Sequence, residues 1–129
     1  MMTSCFSNYK DSDGVSIALY SPLWFKGEKF LGLAPLKQTF FDIKSNKIDR
    51  KEYEKQYREQ VLNKLNASEI YHRFKDNVLL CWERPTYENG KIVEFFCHRR
   101  IFALWMKEQL DIEVKEYDTR ENINNIKLF

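Results

Sequence analysis

Asn77-Val78-Leu79-Leu80-Cys81-Trp82 is a short, unbroken apolar run, and Cys97-His98-Arg99-Arg100 opens the next stretch of helical pattern after it. An apolar run of this length between two helical patterns reads as a strand buried on both faces, the hallmark of a parallel sheet. That reading decides the fold class, and the rest of the chain agrees with it. Upstream, Gly14 opens an alternation in which Val15, Ile17 and Leu19 share one parity, so a strand is expected there and ended by Pro22. Leu23 to Lys37 is apolar but broken by Gly27, Gly32 and Pro35, which predicts a loop with one short helical turn.

Asp49 followed by Glu52 is a capping-box-like start. Tyr53, Tyr57, Val61 and Leu65 then recur every four residues, so a helix begins at Asp49. Asn66 opens a second, short helix carrying Ile70, Tyr71 and Phe74. Asn89-Gly90 marks a turn, with a strand or flap over Ile92 to Phe96. His98 to Leu110 has Ile101, Phe102, Trp105, Met106 and Leu110 at helical spacing. Ile112 and Val114 alternate with Glu113 and Lys115, as in an edge strand. Strands alternating with helices predict a small three-layer, Rossmann-like α/β domain with a mainly parallel sheet of few strands.

The chain has 129 residues, 43% hydrophobic and 16% aromatic, which suits one domain over 1–129. The core is expected over 4–117, with a C-terminal tail over 118–129 that bears Ile126, Leu128 and Phe129. The formal net charge of +2 does not indicate nucleic-acid binding. No apolar run approaches the ~18 residues of a membrane span. The N-terminus Met1-Met2-Thr3-Ser4-Cys5 lacks the pattern of a signal peptide. Three cysteines without framework spacing point to a reducing compartment, so the cytoplasm is expected.

Ligands of open parallel sheets bind beyond the carboxyl ends of the strands. Ser21 to Lys37 and Glu83 to Arg100 fall there. Cys97 lies at the mouth of a helix, where unpaired N–H groups and the dipole attract anions and lower a thiol pKa. Arg99 and Arg100 offer forked donors for phosphate or carboxylate. His98 suits proton transfer near neutral pH. Glu83 follows the central strand and is the best-placed carboxylate, for catalysis or for fixing an arginine; Asp118 is another partner for an arginine here. Tyr20 and Trp24 are candidate walls for a pocket. His72, on an amphipathic helix, reads as structural.

Cys81 and Cys97 can approach each other, one at a strand end and one at the next helix, which leaves a redox pair open. Cys81, Cys97 and His98 are also three metal-ligand types, but no CxxC or HxxxH spacing supports them. No metal and no cofactor are expected. A tyrosine-phosphatase-type loop would need an arginine six residues after Cys97, and that position is Ala103.

Leu79-Leu80-Cys81-Trp82-Glu83 followed by Cys97-His98-Arg99 resembles the two-part signature of the domain-of-unknown-function 488 family, a strand ending in LLC-x-E and a helix start CHR. Ser16-Ile17-Ala18, Ser21-Pro22-Leu23-Trp24-Phe25, Leu33-Ala34-Pro35 and Val61-Leu62-Asn63-Lys64-Leu65 support the resemblance over about residues 4–117. It implies a small α/β domain of bacteria and their phages, and it marks Cys81, Glu83, Cys97, His98 and Arg99. It names no reaction. Two departures stand out. Relatives often carry an arginine where this chain has Tyr20, and Arg84 to Phe96 exceeds the usual short link, which predicts a flap over the pocket.

The leading expectation is an anion-binding pocket, in an enzyme acting on a nucleotide or other phosphate-bearing small molecule. Catalysis is assigned to Glu83, Cys97 and His98. Binding is assigned to Arg99, Arg100, Cys81, Tyr20 and Trp24, with Arg99 leading the anion cradle and Glu83 as its partner. The alternative is a non-catalytic ligand-sensing or protein-interaction module, phage-encoded in one version.

Overall fold

A computed structural model describes residues 1–119. The expected tail therefore lies outside the described residues from 120 onward. The protein is α/β, built among the described residues on a five-stranded sheet in the order Glu28–Lys29, Gly14–Ser16, Val78–Cys81, Met2–Cys5, Lys115–Glu116. Every pairing in that sheet is parallel. The strands are β1 (Met2–Cys5), β2 (Gly14–Ser16), β3 (Glu28–Lys29), β4 (Val78–Cys81) and β7 (Lys115–Glu116). Strand β4 is buried along its whole length, between β2 and β1, as its apolar run requires.

Strand β1 was not expected, because Met2-Thr3-Ser4-Cys5 has no branched aliphatic residue. It nonetheless lies beside β4 with Thr3, Ser4 and Cys5 buried. The polar pair is tolerated because both hydroxyls are satisfied from the far side of the sheet. Thr3 donates to Glu116 at 2.7 Å, and Ser4 donates to the Tyr117 carbonyl at 2.9 Å. The same bonds place the last strand at Lys115–Glu116, whereas Ile112 and Val114 were expected to form it. Val114 is instead buried in the main core.

The expected first strand is shorter than its alternation, Gly14–Ser16, and all three residues are buried. Gly14 is needed for close packing on β4, since a Cβ there would lie 2.8 Å from the Leu80 side chain. The loop from Leu23 contains the edge strand β3 and a 3-10 turn at Leu31–Leu33. It runs into helix α1 (Lys37–Lys44), which has no side-chain cap and so gave no start signal.

Helix α2 (Arg50–Gln60) starts where the capping box puts it, with the Asp49 carboxylate accepting from the Glu52 N–H at 2.8 Å. Asn66 likewise caps α3 (Ala67–Phe74) through the Glu69 N–H at 3.0 Å. Helix α4 (His98–Leu110) starts at His98 with Cys97 as its cap. Asn89 and Gly90, at φ 51° and 78°, turn the hairpin of β5 (Thr86–Glu88) and β6 (Lys91–Glu94). Two positive φ values in succession are the two-residue hairpin geometry that Asn-Gly favours.

The core has two parts. The larger joins Val15, Ile17 and Leu79 to the inner faces of α2, α3 and α4, around Tyr57, Phe74, Phe102 and Met106. The smaller gathers Phe6, Tyr9, Ala18, Val78 and Leu80 with Cys81 and Cys97, and Phe25, Phe95 and Tyr117 pack against it. No side chain from within a described helix belongs to this second core, so loops form that layer. Among the described residues no helix is long and apolar enough to cross a membrane.

Phe102 is fully buried and Asn66 is an exposed cap. Urea unfolding should therefore show a loss of ~3–5 kcal/mol for Phe102→Ala and ~1 kcal/mol for Asn66→Ala. Equal losses would contradict this division between core and cap.

Candidate functional site

The strand end of β4 and the first turn of α4 meet at one point. Cys81 is the last residue of β4, Cys97 caps α4 and His98 is its first residue. Their side chains are buried, and their Cys Sγ and His nitrogen atoms all lie within 4.8 Å of one another. The structure joins Cys81 and Cys97 in a disulfide, the pairing that the sequence left open, with Cα atoms 7.9 Å apart. That separation exceeds the roughly 4.4–6.8 Å between the Cα atoms of ordinary disulfides.

Successive residues on a helix diverge by about 100°, and the Cys97-His98-Arg99-Arg100 run is divided accordingly. His98 points to the first core, where its Nε2 meets the Ile17 carbonyl at 2.8 Å. A carbonyl accepts only, so Nε2 carries the proton and Nδ1 keeps a lone pair. Nδ1 lies 3.9 Å from Cys97 Sγ. Burial, ahead of any other influence, pushes the His98 pKa down to about 4, so the ring is neutral at neutral pH.

Arg99 is fully buried. Its Nη1 donates to Cys81 Sγ at 2.9 Å and to Cys97 Sγ at 3.3 Å. Its Nε and Nη2 donate to the Glu116 carboxylate, at 3.1 Å and 2.8 Å. Phe95 covers one face of the guanidinium. This corrects the expected anion cradle: Arg99 is fully buried with no face open to a ligand, and Glu116 accepts from it. Arg100 is exposed and lies with Ile92, Glu94 and Lys115 along a different hollow.

Above Cys81, Cys97 and His98 opens a cavity of about 720 Å³. It lies beyond the carboxyl ends of β2 and β4, where the topology predicts a ligand site. Tyr20, Phe40, Ile43, Ile48, Tyr53, Trp82 and Phe96 wall it, and Lys44, Asp49, Arg50 and Glu83 supply its charge. Burial, and then Glu83, raise the Tyr53 pKa, so it presents a phenol. Glu83 faces the cavity, with Oε2 3.8 Å from Cys81 Sγ and Oε1 3.1 Å from Lys44 Nζ. Arg50 bonds to Glu94 on the hairpin and lies over Phe96. The hairpin thus approaches the cavity through Glu94 and Phe96.

Of the expected site residues, Tyr20, Cys81, Glu83, Cys97 and His98 converge on this cavity. Arg99, Arg100 and Trp24 do not line it. Trp24 packs on Phe6 and Phe25, under Lys10. His72 is exposed on α3 and stands apart. Lys44, Arg50, Phe40 and Tyr53 escaped the sequence reading as site residues. Arg50 and Tyr53 were legible only as members of a capped helix, and Lys44 and Phe40 belong to the helix with no start signal.

The fold and site define a small α/β domain with an aromatic-walled cavity and a two-cysteine, one-histidine cluster on its floor. No known protein family, curated protein or solved structure matches the chain.

Removing one member of a buried ion pair strands the other. Arg99→Ala and Glu116→Ala should each cost ~3–5 kcal/mol in denaturant unfolding, and the double variant should cost less than their sum. The exposed Lys44–Glu83 pair should be worth under ~1 kcal/mol when Glu83→Ala removes it. Additive losses for Arg99 and Glu116 would contradict the pairing.

Proposed function

We propose that the cavity binds a phosphate-bearing small molecule of nucleotide size, and that the Cys81, Cys97 and His98 cluster is the reacting end of the site. The observation that carries this reading is one cavity of about 720 Å³ holding aromatic walls, two cations and a buried two-cysteine, one-histidine cluster together. Its volume is that of a small-molecule site. Aromatic rings accept the planar body of such a ligand, with Tyr20, Phe40, Tyr53 and Phe96 on the walls.

Lys44 and Arg50 take the role first given to Arg99. Both are more than half exposed and paired with exposed carboxylates. Such pairs are weak in water, so a phosphate can exchange for Glu83 or Glu94 at little cost. Release of Glu83 from Lys44 leaves its carboxylate beside Cys81, placed for proton transfer. The Thr86–Glu94 hairpin closes over the ligand through Glu94 and Phe96, which matches the longer link expected of a flap.

The resemblance to the domain-of-unknown-function 488 family supports the same location, because the Leu79–Glu83 and Cys97–Arg99 halves of the signature meet on this floor. We place the protein in the cytoplasm, where the Cys81–Cys97 disulfide would be opened and Cys5 stays a buried thiol.

A thermal-shift panel of nucleotides and sugar phosphates, beside their phosphate-free counterparts, tests the reading. A ligand that binds only the folded state raises Tm. The expected result is a rise with phosphorylated compounds, lost in Lys44→Ala and Arg50→Ala and kept in Arg100→Ala. No shift with any phosphorylated compound, or loss of the shift in Arg100→Ala alone, would overturn it.

A further inference from the structure

We infer that Cys81 Sγ, Cys97 Sγ and His98 Nδ1 are three ligands of a divalent cation of the zinc class, with the fourth position open to the cavity. This deepens the proposed function, since it assigns the chemistry of the cluster on the cavity floor. Four observations carry it.

The first is the donor set. Two sulfurs and an imidazole nitrogen, mutually within 4.8 Å, suit a tetrahedral centre with bonds of about 2.0–2.3 Å. They arise from a strand end and an adjacent helix start, so the sheet brings them together where no CxxC spacing does. The second is the histidine. Its Nε2–H is bound to the Ile17 carbonyl, which orients the ring and leaves Nδ1 as the donor nearest Cys97 Sγ. A backbone carbonyl on the far nitrogen is the usual support of a metal-bound histidine.

The third is the spacing of the cysteines. The two residues form a disulfide whose Cα–Cα distance of 7.9 Å is wider than ordinary disulfides have, so once reduced the sulfurs can part to take a cation between them. The fourth is charge. Arg99 Nη1 donates to both sulfurs, and the Arg99 backbone N–H donates to Cys97 Sγ at 3.4 Å. These donors would support metal-bound sulfurs from the side away from the cavity. Arg99 is itself neutralised by Glu116, so two thiolates, a neutral imidazole and a divalent cation bring the buried group to zero net charge. The disulfide must first be opened by a thiol reductant, which supplies two electrons and is itself oxidised; binding to the resulting dithiol then replaces two S–H bonds with two metal–sulfur bonds and releases two protons to solvent. All three residues line the cavity, so the fourth position faces the ligand space, on the side of Glu83.

The test is metal binding by the full chain, read without any cavity ligand, so its failure leaves the phosphate reading to stand or fall separately. Reduced, metal-free protein is titrated with Co²⁺ and then Zn²⁺. The expected result is one ion per chain, with thiolate-to-cobalt charge-transfer bands and the intense visible bands of tetrahedral Co²⁺, displaced by Zn²⁺. Cys81→Ser and Cys97→Ser should each lose the charge-transfer intensity, His98→Ala should weaken binding, and Cys5→Ser should change neither. Circular dichroism checks that each variant folds. If a cysteine variant does not fold, X-ray absorption of zinc-loaded wild-type protein decides, with two sulfurs and at least one nitrogen expected around the metal. No binding by reduced protein, unchanged bands in a folded Cys97→Ser variant, or a shell lacking sulfur would overturn the inference.

Discussion

The buried guanidinium of Arg99 holds this structure's functional end together. One side of it is bound to Glu116 on the edge strand β7, and the other to the sulfurs of Cys81 and Cys97. Glu116 in turn accepts from Thr3 on β1. A single cation therefore connects the central strand, its neighbour, the sheet edge and the cap of α4. A buried charge is tolerated only when it is paired and its donors are satisfied. The position of β7, the burial of a polar β1 and the convergence of the two cysteines follow from meeting that requirement.

The same constraint separates support from chemistry. Arg99 faces away from the cavity and orders the sulfurs from behind. His98 is anchored at Ile17 and turns its Nδ1 toward Cys97. Glu83, Lys44 and Arg50 are left at the cavity wall in exchangeable surface pairs. The result is a buried floor beneath a more exposed, charged rim, the arrangement that the proposed ligand site would use.

Much of the architecture was legible in the sequence because it rests on local signals. The Leu79–Cys81 run gave the central strand, Asp49 and Asn66 gave two helix starts, and Asn89-Gly90 gave the hairpin. Strand β1 was not legible, since Thr3 and Ser4 are buried on the strength of hydrogen bonds to residues more than a hundred positions away. Helix α1 was missed because Leu36 offers no cap. At the site, the position of Cys97 and His98 was readable from the helix start. The direction of Arg99 was not, because it depends on Glu116, and nothing in the local pattern marks Glu116 as its partner. Sequence spacing gave no metal motif, whereas the two sulfurs and the imidazole meet through the sheet.

The central claim is that Cys81, Cys97 and His98 converge on one point beneath the cavity, ordered by Arg99. Anomalous diffraction at the zinc edge, on crystals of protein purified without chelator, tests it most directly. The account predicts a single anomalous peak at bonding distance from Cys81 Sγ, Cys97 Sγ and His98 Nδ1, with Arg99 against the sulfurs. No peak in crystals grown under reducing conditions, or Arg99 turned into the cavity, would contradict it.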